Sequence, residues 1–243
     1  MTIPKWQYHE PQHPGADFDA MAESYDQHMQ SYRDIQGEIQ EILDFLDLKG
    51  DQAVLEIGTG TGEFALAAAC HCSRVYAVDL SAGMLKYAEK KARSRQIDNV
   101  EFLQSGFLTY RHHGPPLDAV VSQLALHHLP DFWKLIALMR SSDMLKDGGK
   151  LCLRDVVYSF DVKEHEAFFE DYISKAAENV SEEFAGLLTA HVKNEYSTLD
   201  WIMKGMLEQA GFRVDRVDHK DGFIGLYLCT KTPETKSALM NQH

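Results

Sequence analysis

Hydrophobic positions follow two spacings that alternate along most of the chain. Short apolar runs of strand length begin near residues 53, 74, 100, 117 and 150. Between them, apolar residues recur every three or four positions, which is the spacing of amphipathic helices. Strands that alternate with helices form βαβ units, in which helices cover both faces of a parallel sheet. We therefore predict an α/β fold built on a Rossmann-like, doubly wound sheet.

The alternation stops after Val157, and the rest of the chain follows a different plan. Residues 161–193 keep the helical spacing, and a further helix is predicted from a cap near Ser197, with Asp200 three positions later. The last two strand patterns, GFRVDRVDH and FIGLYLCT, are separated by KDG. Such a short, glycine-containing connection indicates a β-hairpin, so the mostly parallel sheet should end in an antiparallel pair.

Two helices within the alternating region can be placed in more detail. Ser81 follows the second strand and is a good N-cap for the helix after it. In the helix that opens at PDFW, helical spacing predicts that four residues face the core: Phe132, Leu135, Ile136 and Met139.

The stretch VLEIGTGTGEFAL, residues 54–66, carries three glycines directly after the first strand. Glycine adopts positive φ and lets a ligand approach the backbone closely, and a helix that begins near Gly62 presents free N–H groups. A dinucleotide fingerprint reads G-x-G-x-x-G, whereas this loop reads Glu56-x-Gly58-x-Gly60-x-Gly62. An acidic residue before the first glycine repels a pyrophosphate but can hold an ammonium. The loop therefore favours a cofactor that carries an amino acid.

Asp79 supports a nucleoside-containing cofactor. It ends the second strand, 21 residues after Gly58, where an acidic side chain can accept hydrogen bonds from both hydroxyls of a ribose. A lone Asp at a strand end is often only a helix cap or a surface charge. Its pairing with the glycine loop at this spacing favours ribose binding.

Charge and hydropathy narrow the class of partner. The formal net charge is −13, which repels phosphate backbones, and no Lys/Arg stripe offsets it. No apolar run approaches the ~18 residues of a membrane helix, and the polar, Pro-rich N-terminal stretch lacks the apolar core of a signal peptide. We expect a cytoplasmic monomer or homodimer that acts on a small molecule and binds neither nucleic acid nor a membrane.

Six segments, taken in order, resemble the class I S-adenosylmethionine-dependent methyltransferases, and most of all the group that includes the ubiquinone/menaquinone-biosynthesis methyltransferases. They are FDAMAESYD, VLEIGTGTGEFAL, VYAVDLSAGML, NVEFLQSGF, LDAVVSQLALHHLPD and LKDGGKLCLRD. The resemblance covers residues 17 to about 157 and, in outline, the terminal hairpin. It implies a seven-stranded sheet, S-adenosylmethionine bound over the strand ends, and methyl transfer to a small-molecule acceptor by in-line displacement.

The resemblance also implies a role for each matching residue. Glu56 and the glycine loop would face the methionine part of the cofactor, Asp79 would bind the ribose, and Tyr25 would close over the methionine end. The full set of implied cofactor contacts is Tyr25, Glu56, Gly58, Thr59, Gly60, Gly62, Asp79, Leu80, Met84, Ser105, Gly106, Phe107, Gln123 and Leu124.

One motif departs from the family pattern. After the third strand many relatives carry an Asp that accepts a hydrogen bond from the adenine amino group, but this chain reads Ser105-Gly106-Phe107. A backbone group, the Ser105 hydroxyl or a water would have to replace the missing carboxylate. Phe107 either stacks on the adenine or belongs to the core.

Few residues suggest acid–base chemistry. His127 and His128 are candidates for a general base or a substrate contact, because a neutral imidazole accepts protons near pH 7; the alternative is that they bond backbone groups at a helix start. Asp155 and Tyr158 leave the fifth strand at the edge where substrate would bind. His191 lies on an apolar stripe, which indicates a packed histidine.

No metal site is predicted. In CHCS, Cys70, His71 and Cys72 are adjacent, and no second ligand pair occurs elsewhere in the sequence.

We predict one methyltransferase domain over residues 1–243. Its parts are a helical cap (17–48), a cofactor-binding core (50–157), a helical lid insertion (158–197) and a final helix with the β-hairpin (198–230). Two alternatives stay open. An NAD-dependent oxidoreductase would also use a glycine loop, and a non-catalytic methyltransferase-like binding module would explain the missing adenine contact at Gly106.

Overall fold

A mostly parallel sheet organises the protein. The computed structural model describes residues 4–12 and 17–233. Within them, the strands are β1 (Ala53–Ile57), β2 (Arg74–Asp79), β3 (Val100–Gln104), β4 (Leu117–Gln123), β5 (Leu145–Tyr158), β6 (Thr198–Leu199), β7 (Phe212–Lys220) and β8 (Ile224–Lys231). The main path of the sheet runs β3-β2-β1-β4-β5-β8-β7, and the two-residue β6 pairs with β5.

The sheet confirms the predicted fold class and its antiparallel ending. β1 to β5 pair in parallel, whereas β8 runs antiparallel to both β5 and β7. The β7–β8 hairpin turns at Asp221 and Gly222, which both have positive φ. β6 is an additional strand beyond the seven that were predicted. Its Thr198 and Leu199 pair in parallel with Val157 and Tyr158 at the end of β5.

Helices cover both faces of this sheet, as the alternating pattern predicts. They are α1 (Phe18–Met21), α2 (Tyr25–Gln30), α3 (Ile35–Leu46), α4 (Glu63–Ala68), α5 (Ala82–Ser94), α6 (Asp131–Met144), α7 (His165–Asn179), α8 (Glu182–Asn194) and α9 (Asp200–Gln209), with short 3₁₀ turns at Glu10–Gln12, Leu126–His128 and Val162–Glu164. Ser81 caps α5 as predicted, because its Oγ accepts from the Met84 N–H at 3.0 Å. Across the described residues, no helix is both long and apolar enough to cross a membrane.

The central strands are buried on both sides. Val54 and Leu55 are adjacent in β1, yet they belong to separate hydrophobic clusters and neither is exposed. Since consecutive strand residues point to opposite faces, the two clusters are the cores above and below the sheet. This explains why β1 appears in the sequence as a continuous apolar run.

Two local predictions were wrong. Of the four α6 residues expected to face the core, Leu135 and Ile136 are half-buried and pack against it, whereas Phe132 and Met139 are exposed, by 64% and 44%. The fully buried positions of the helix are Lys134, Ala137, Leu138, Ser141 and Ser142, so the buried face is displaced from the predicted stripe. The second error concerns α9, which begins after Leu199 without a side-chain cap.

Ser197 is drawn away from the predicted capping role by its neighbours. Its hydroxyl lies 2.7 Å from Nε2 of His191, and the two residues after it pair with β5. The chain therefore stays extended through Leu199, and the helix starts two residues later than a cap at Ser197 would place it.

The glycine loop between β1 and α4 is held in a left-handed backbone conformation. Gly58, Gly60 and Gly62 have φ values of 78°, 53° and 79°, and the N–H groups of Gly58 and Thr59 donate to the Val78 carbonyl at 2.8 and 3.0 Å. A Cβ on Gly58 would lie 2.4 Å from Cβ of Ala125, whereas a Cβ on Gly60 would have no atom within 4 Å.

We predict that Gly58→Ala destabilises the protein by several kcal/mol more than Gly60→Ala. Both changes place an L-residue at positive φ, which costs about 1–2 kcal/mol, but only Gly58→Ala also forces a steric overlap in the core. Urea denaturation of the two variants, with Gly50→Ala as a control in open space, measures the difference. Equal losses of unfolding free energy would show that the contact with Ala125 is relieved by movement.

Candidate functional site

One cavity of about 400 Å³ opens at the carboxyl ends of the parallel strands. Ligands bind at this edge in open α/β sheets, beside the point where strand order reverses. Twelve residues singled out from the sequence line it: Tyr25, Gly58, Gly60, Asp79, Leu80, Met84, Ser105, Gly106, Phe107, Gln123, Leu124 and His128. The others lie outside this lining as the described residues form it: Glu56, Thr59, Gly62, His127, Asp155 and Tyr158.

Asp79 joins the loop after β1 to the loop after β2. One carboxylate oxygen accepts from the Gly60 N–H at 2.7 Å, and the other accepts from the Ser81 N–H at 2.9 Å. Burial raises the pKa of Asp79, although these backbone donors partly oppose the shift. Each carboxylate oxygen has a second lone pair, so the side chain can still accept hydrogen bonds from a ligand.

Glu56 is buried beneath the glycine loop rather than exposed to the cavity. It is 2% exposed, and its Oε2 accepts from the Thr59 hydroxyl at 2.6 Å. Gln123 also hydrogen-bonds to it. Burial raises the pKa of Glu56 to about 8, so a cation placed above the loop would stabilise the charged carboxylate.

The N-terminal helices close one side of the cavity. Phe18 packs edge-on against Tyr25 and against His128, with ring centroids 6.4 and 6.0 Å apart. Asp19 ties this segment to α5, because its Oδ1 accepts from the Ser81 hydroxyl at 2.6 Å and from the Gly83 N–H at 2.7 Å. The cap is therefore bonded to the same turn that holds Asp79.

A carboxylate fills the space above Gly106. Glu10, from the N-terminal segment, is 5% exposed and lines the cavity. A Cβ on Gly106 would lie only 2.5 Å from Oε1 of Glu10. The other oxygen, Oε2, accepts from the Leu108 N–H at 3.0 Å. Burial raises the pKa of Glu10 to about 7, against the backbone donors that lower it.

His127 belongs to a buried charged network beside the cavity. Its Nδ1 makes a short hydrogen bond with Oδ1 of Asp155, and its backbone N–H donates to Oδ2 of the same carboxylate at 3.1 Å. Burial alone would lower the pKa of His127, but Asp155 and then Glu195 raise it to about 9. Asp155 is itself 1% exposed, and despite its burial His127 holds its pKa below the usual value.

One carboxylate oxygen of Glu195 lies close to ring nitrogens of three histidines. Its Oε2 lies 3.0 Å from Nε2 of His127, 3.9 Å from Nδ1 of His128 and 2.6 Å from Nδ1 of His191. Burial would raise the pKa of Glu195, but His127 and His191 lower it well below its ordinary value. His191 is mostly buried, as its apolar stripe indicates, and it also contacts this carboxylate through Nδ1.

Tyr158 lies in an aromatic cluster at the base of the α7–α8 segment. Its ring packs edge-on against Phe169 and Phe223, at centroid distances of 5.5 and 5.4 Å. Burial raises the pKa of its hydroxyl. Its surroundings are those of a packing residue that connects the segment to β5.

Three acidic residues of the site were missed by the sequence analysis. Glu10 lies in a polar stretch with no periodicity, Asp19 resembles any surface charge, and Glu195 follows a helix end. Only Gly106 indicated that such a residue was needed, because the family pattern has an acidic side chain at that position and this chain has none. Nothing in the local pattern identifies Glu10 as that replacement.

Comparison with known proteins gives a consistent family. A model described as a methyltransferase domain matches residues 54–149. An uncharacterized methyltransferase of Geobacillus sp. (strain WCH70) is 31% identical over 212 residues, which are 85% of this chain and 92% of the relative. A second one, of Geobacillus kaustophilus, is 31% identical over 199 residues, covering 80% of this chain and 86% of that protein.

Solved structures share the fold at lower identity. A putative methyltransferase from Bacillus halodurans has a TM-score of 0.61 at 19% identity, covering 81% of this chain and 100% of that one. A SAM-dependent methyltransferase from Aquifex aeolicus has a TM-score of 0.62 at 20% identity, covering 88% and 98%.

We predict that Glu56 makes stability depend on pH. Its folded pKa of about 8 lies above the ordinary 4.5, so the stability it contributes is complete below about pH 4.5 and is lost as pH rises towards 8. Between about pH 5 and about pH 8, the unfolding free energy of wild type should fall relative to Glu56→Gln, by on the order of 1–3 kcal/mol.

Urea denaturation at each pH measures this difference. Glu23→Gln removes an exposed carboxyl and serves as the matched control, which should run parallel to wild type. A Glu56→Gln curve that is also parallel to wild type would contradict the prediction.

Proposed function

The chain belongs to the S-adenosylmethionine-dependent methyltransferases, and from this premise we propose that it methylates a small-molecule acceptor at the cavity described above. The observation that carries the proposal is the layout of this cavity. Asp79 and the open glycine loop lie on one side, Glu10 lies above Gly106, and His128 faces the remaining opening. When bound, S-adenosylmethionine supplies a methyl group already activated on a sulfonium.

The residues present fit such a cofactor. The space over Gly60 is clear for at least 4 Å around a Cβ position, so a ligand can approach the loop backbone. Leu80, Met84 and Phe107 offer apolar surface for a flat ring, and Asp79 retains acceptor capacity for the ribose hydroxyls. Five acidic residues lie at or beneath the wall and complement a ligand that carries an ammonium and a sulfonium: Glu10, Asp17, Asp19, Asp79 and the buried Glu56.

The methionine end would lie against the glycine loop. In this proposal Glu56 acts through Thr59, to which it is bonded, and orients the loop without direct contact. Tyr25 lines the cavity from α2, and its ring can meet the sulfonium side of the cofactor. Gln123 and Leu124 continue β4 into the wall; Leu124 has a φ of 50°, a left-handed conformation that functional loops often hold.

Glu10 is proposed to bind the adenine amino group. Its carboxylate occupies the position that an acidic side chain on residue 106 would otherwise supply, and only the absence of a Cβ at Gly106 leaves room for it. The N-terminal segment would then complete the cofactor site, with Ser105 and Phe107 as neighbours.

Catalysis in this proposal is chiefly positional. In-line attack requires the acceptor to be held close to the methyl carbon and aligned with the C–S bond. With its pKa near 9, His127 is protonated at neutral pH and does not act as a base while Asp155 and Glu195 hold it. His128 lines the cavity and is the proposed acceptor contact; Asp155 would position it through His127.

Residues 17–48 and 158–197 are proposed as the cap and lid over residues 50–157. A small acceptor, rather than nucleic acid, agrees with the net charge of −13. The ubiquinone/menaquinone subgroup, the cytoplasmic location and the monomeric or homodimeric state stay predictions.

We predict that S-adenosylhomocysteine stabilises the protein and that NADH does not. A ligand at about 100 times its Kd adds about 2.7 kcal/mol to the unfolding free energy, which thermal denaturation detects as a higher Tm. Stabilisation by NADH alone would favour an oxidoreductase, and stabilisation by neither ligand would favour a non-catalytic module.

Asp79→Asn should weaken S-adenosylhomocysteine about ten- to a hundredfold, because hydrogen bonds to a charged group contribute about 1.5–3 kcal/mol. Isothermal titration calorimetry measures the Kd, and Asp51→Asn, at an exposed turn, is the matched control. An unchanged Kd in a folded Asp79→Asn protein would exclude the ribose contact.

A further prediction concerns Glu10 and uses S-inosylhomocysteine, in which a carbonyl oxygen replaces the adenine amino group. Above about pH 8, where Glu10 with its pKa of about 7 is ionised, wild type should bind it at least tenfold more weakly than S-adenosylhomocysteine, because the Glu10 carboxylate repels that oxygen. In Glu10→Gln the ratio of the two Kd values should fall about tenfold, since an amide can donate to the carbonyl.

Glu23→Gln is again the control and should keep the wild-type ratio. If Glu10→Gln weakens both ligands equally, the carboxylate serves only to accept from the Leu108 N–H and does not recognise adenine.

A further inference from the structure

We propose that His127, His128, His191 and Glu195 form a binding site for a divalent transition-metal ion. Their candidate ligand atoms come from two parts of the chain, the turn after β4 and the end of α8. His127, His128 and Glu195 each offer an atom within 4.8 Å of the others, and Nδ1 of His191 lies 2.6 Å from the same Glu195 oxygen. Ligands about 2.1 Å from a shared ion lie roughly 3–4 Å from one another. The distances from Glu195 Oε2 to His127 and His128, 3.0 and 3.9 Å, fall in this range, whereas the contact with His191 would have to lengthen when an ion binds.

Two of the histidines are oriented as metal ligands usually are. A ligating imidazole normally donates its second N–H to a carboxylate or another oxygen, which fixes the ring and the tautomer. His127 bonds Asp155 through Nδ1, which leaves Nε2 facing Glu195. His191 bonds the Ser197 hydroxyl through Nε2, which leaves Nδ1 facing Glu195.

The Glu195 oxygen lies close to these nitrogens without hydrogen-bond alignment. Oε2 is fully buried and has no aligned hydrogen-bond partner among the described residues, although two ring nitrogens approach within 3.0 Å. Buried polar atoms are normally bonded. Close atoms that are not aligned with one another fit a common point between them better than they fit pairwise bonds.

The surrounding chain holds the two parts together. The Tyr196 N–H donates to the His127 carbonyl at 3.0 Å, so the residue after Glu195 is fixed to one of the proposed ligands. Lys134, 1% exposed, bonds the Tyr196 carbonyl from α6. Backbone hydrogen bonds therefore hold the two parts of the proposed site next to each other.

The donor set and the charge favour a transition metal such as Zn²⁺, Fe²⁺ or Co²⁺. Three imidazole nitrogens and one carboxylate are borderline ligands, which suit these ions better than Mg²⁺ or Ca²⁺. With neutral imidazoles, the charges of Glu195 and Asp155 balance a dication, and a balanced buried cluster avoids the cost of an isolated charge.

The site lies beside the cavity, because His128 lines the cavity and its ring centroid is 4.2 Å from that of His127. An acceptor with an oxygen or nitrogen donor could then occupy a further coordination position. That role rests on the proposed methyl transfer, whereas metal binding itself does not.

The test measures metal binding directly, on tag-free full-length protein. A Cys70→Ser background removes the exposed thiol beside His71, which could bind added metal on its own. Zn²⁺ is titrated by calorimetry, and Co²⁺ is followed by its ligand-field absorption. We expect one equivalent of each ion, and an affinity at least tenfold weaker in Glu195→Ala and His191→Ala. His165→Ala, an exposed histidine, should bind as the background protein does.

Circular dichroism and the urea denaturation midpoint of each variant report whether the protein is folded, and the S-adenosylhomocysteine Kd is measured separately. If Glu195→Ala does not fold, Glu195→Gln, which keeps the size of the side chain, replaces it with the same expected loss. The proposal is overturned if the background protein binds neither ion stoichiometrically, or if folded variants bind as tightly as it does. Metal binding without S-adenosylhomocysteine binding would refute only the proposed function, and the reverse result only the metal site.

Discussion

The carboxylate of Asp79 connects the elements from which the cavity is built. By accepting from Gly60 and Ser81 at once, it fixes the loop after β1 against the turn after β2. Asp19 bonds the same turn from the N-terminal cap. One half-buried carboxylate, with a backbone donor for each oxygen, therefore connects the glycine loop to the turn that also holds the cap. This explains why the glycine spacing and the position of Asp79 have to occur together in the sequence.

Charge is divided between the two ends of the site. At the end formed by the glycine loop, Glu10, Glu56 and Asp79 all have raised pKa values, and burial is the largest cause in each case. Beside His128, by contrast, Asp155 and Glu195 have lowered pKa values because histidines surround them. A bound cation would therefore stabilise the ionised carboxylates at the glycine-loop end, whereas the carboxylates beside His128 are already stabilised by histidines. A positively charged cofactor suits the first end for this reason.

The parts of the structure that the sequence predicts are those set by local patterns. The alternation of strands and helices, the glycine loop and the cap at Ser81 depend on spacing within a few residues, and the structure has them as predicted. The face of α6 was predicted only in part, because Phe132 and Met139 are exposed while Lys134 is buried, and helical spacing alone does not show this. The three histidines meet Glu195 because a segment some seventy positions beyond His127 folds back towards the turn after β4. Hydrophobic periodicity does not predict the course of such a segment.

Gly106 shows how a departure from a family motif can carry information. By itself the glycine suggests a lost contact and a weakened site. In the structure, the absence of a side chain at Gly106 leaves room for Glu10, whose Oε1 lies 2.5 Å from the position that a Cβ would take. The other carboxylate oxygen of Glu10 accepts from the Leu108 N–H, and these two residues are 98 positions apart in sequence. Because this carboxylate belongs to the N-terminal segment, the cavity is complete only when that segment is folded. A carboxylate on residue 106 would not create this dependence. The substitution therefore changes which part of the chain completes the site, and the site keeps its acidic group.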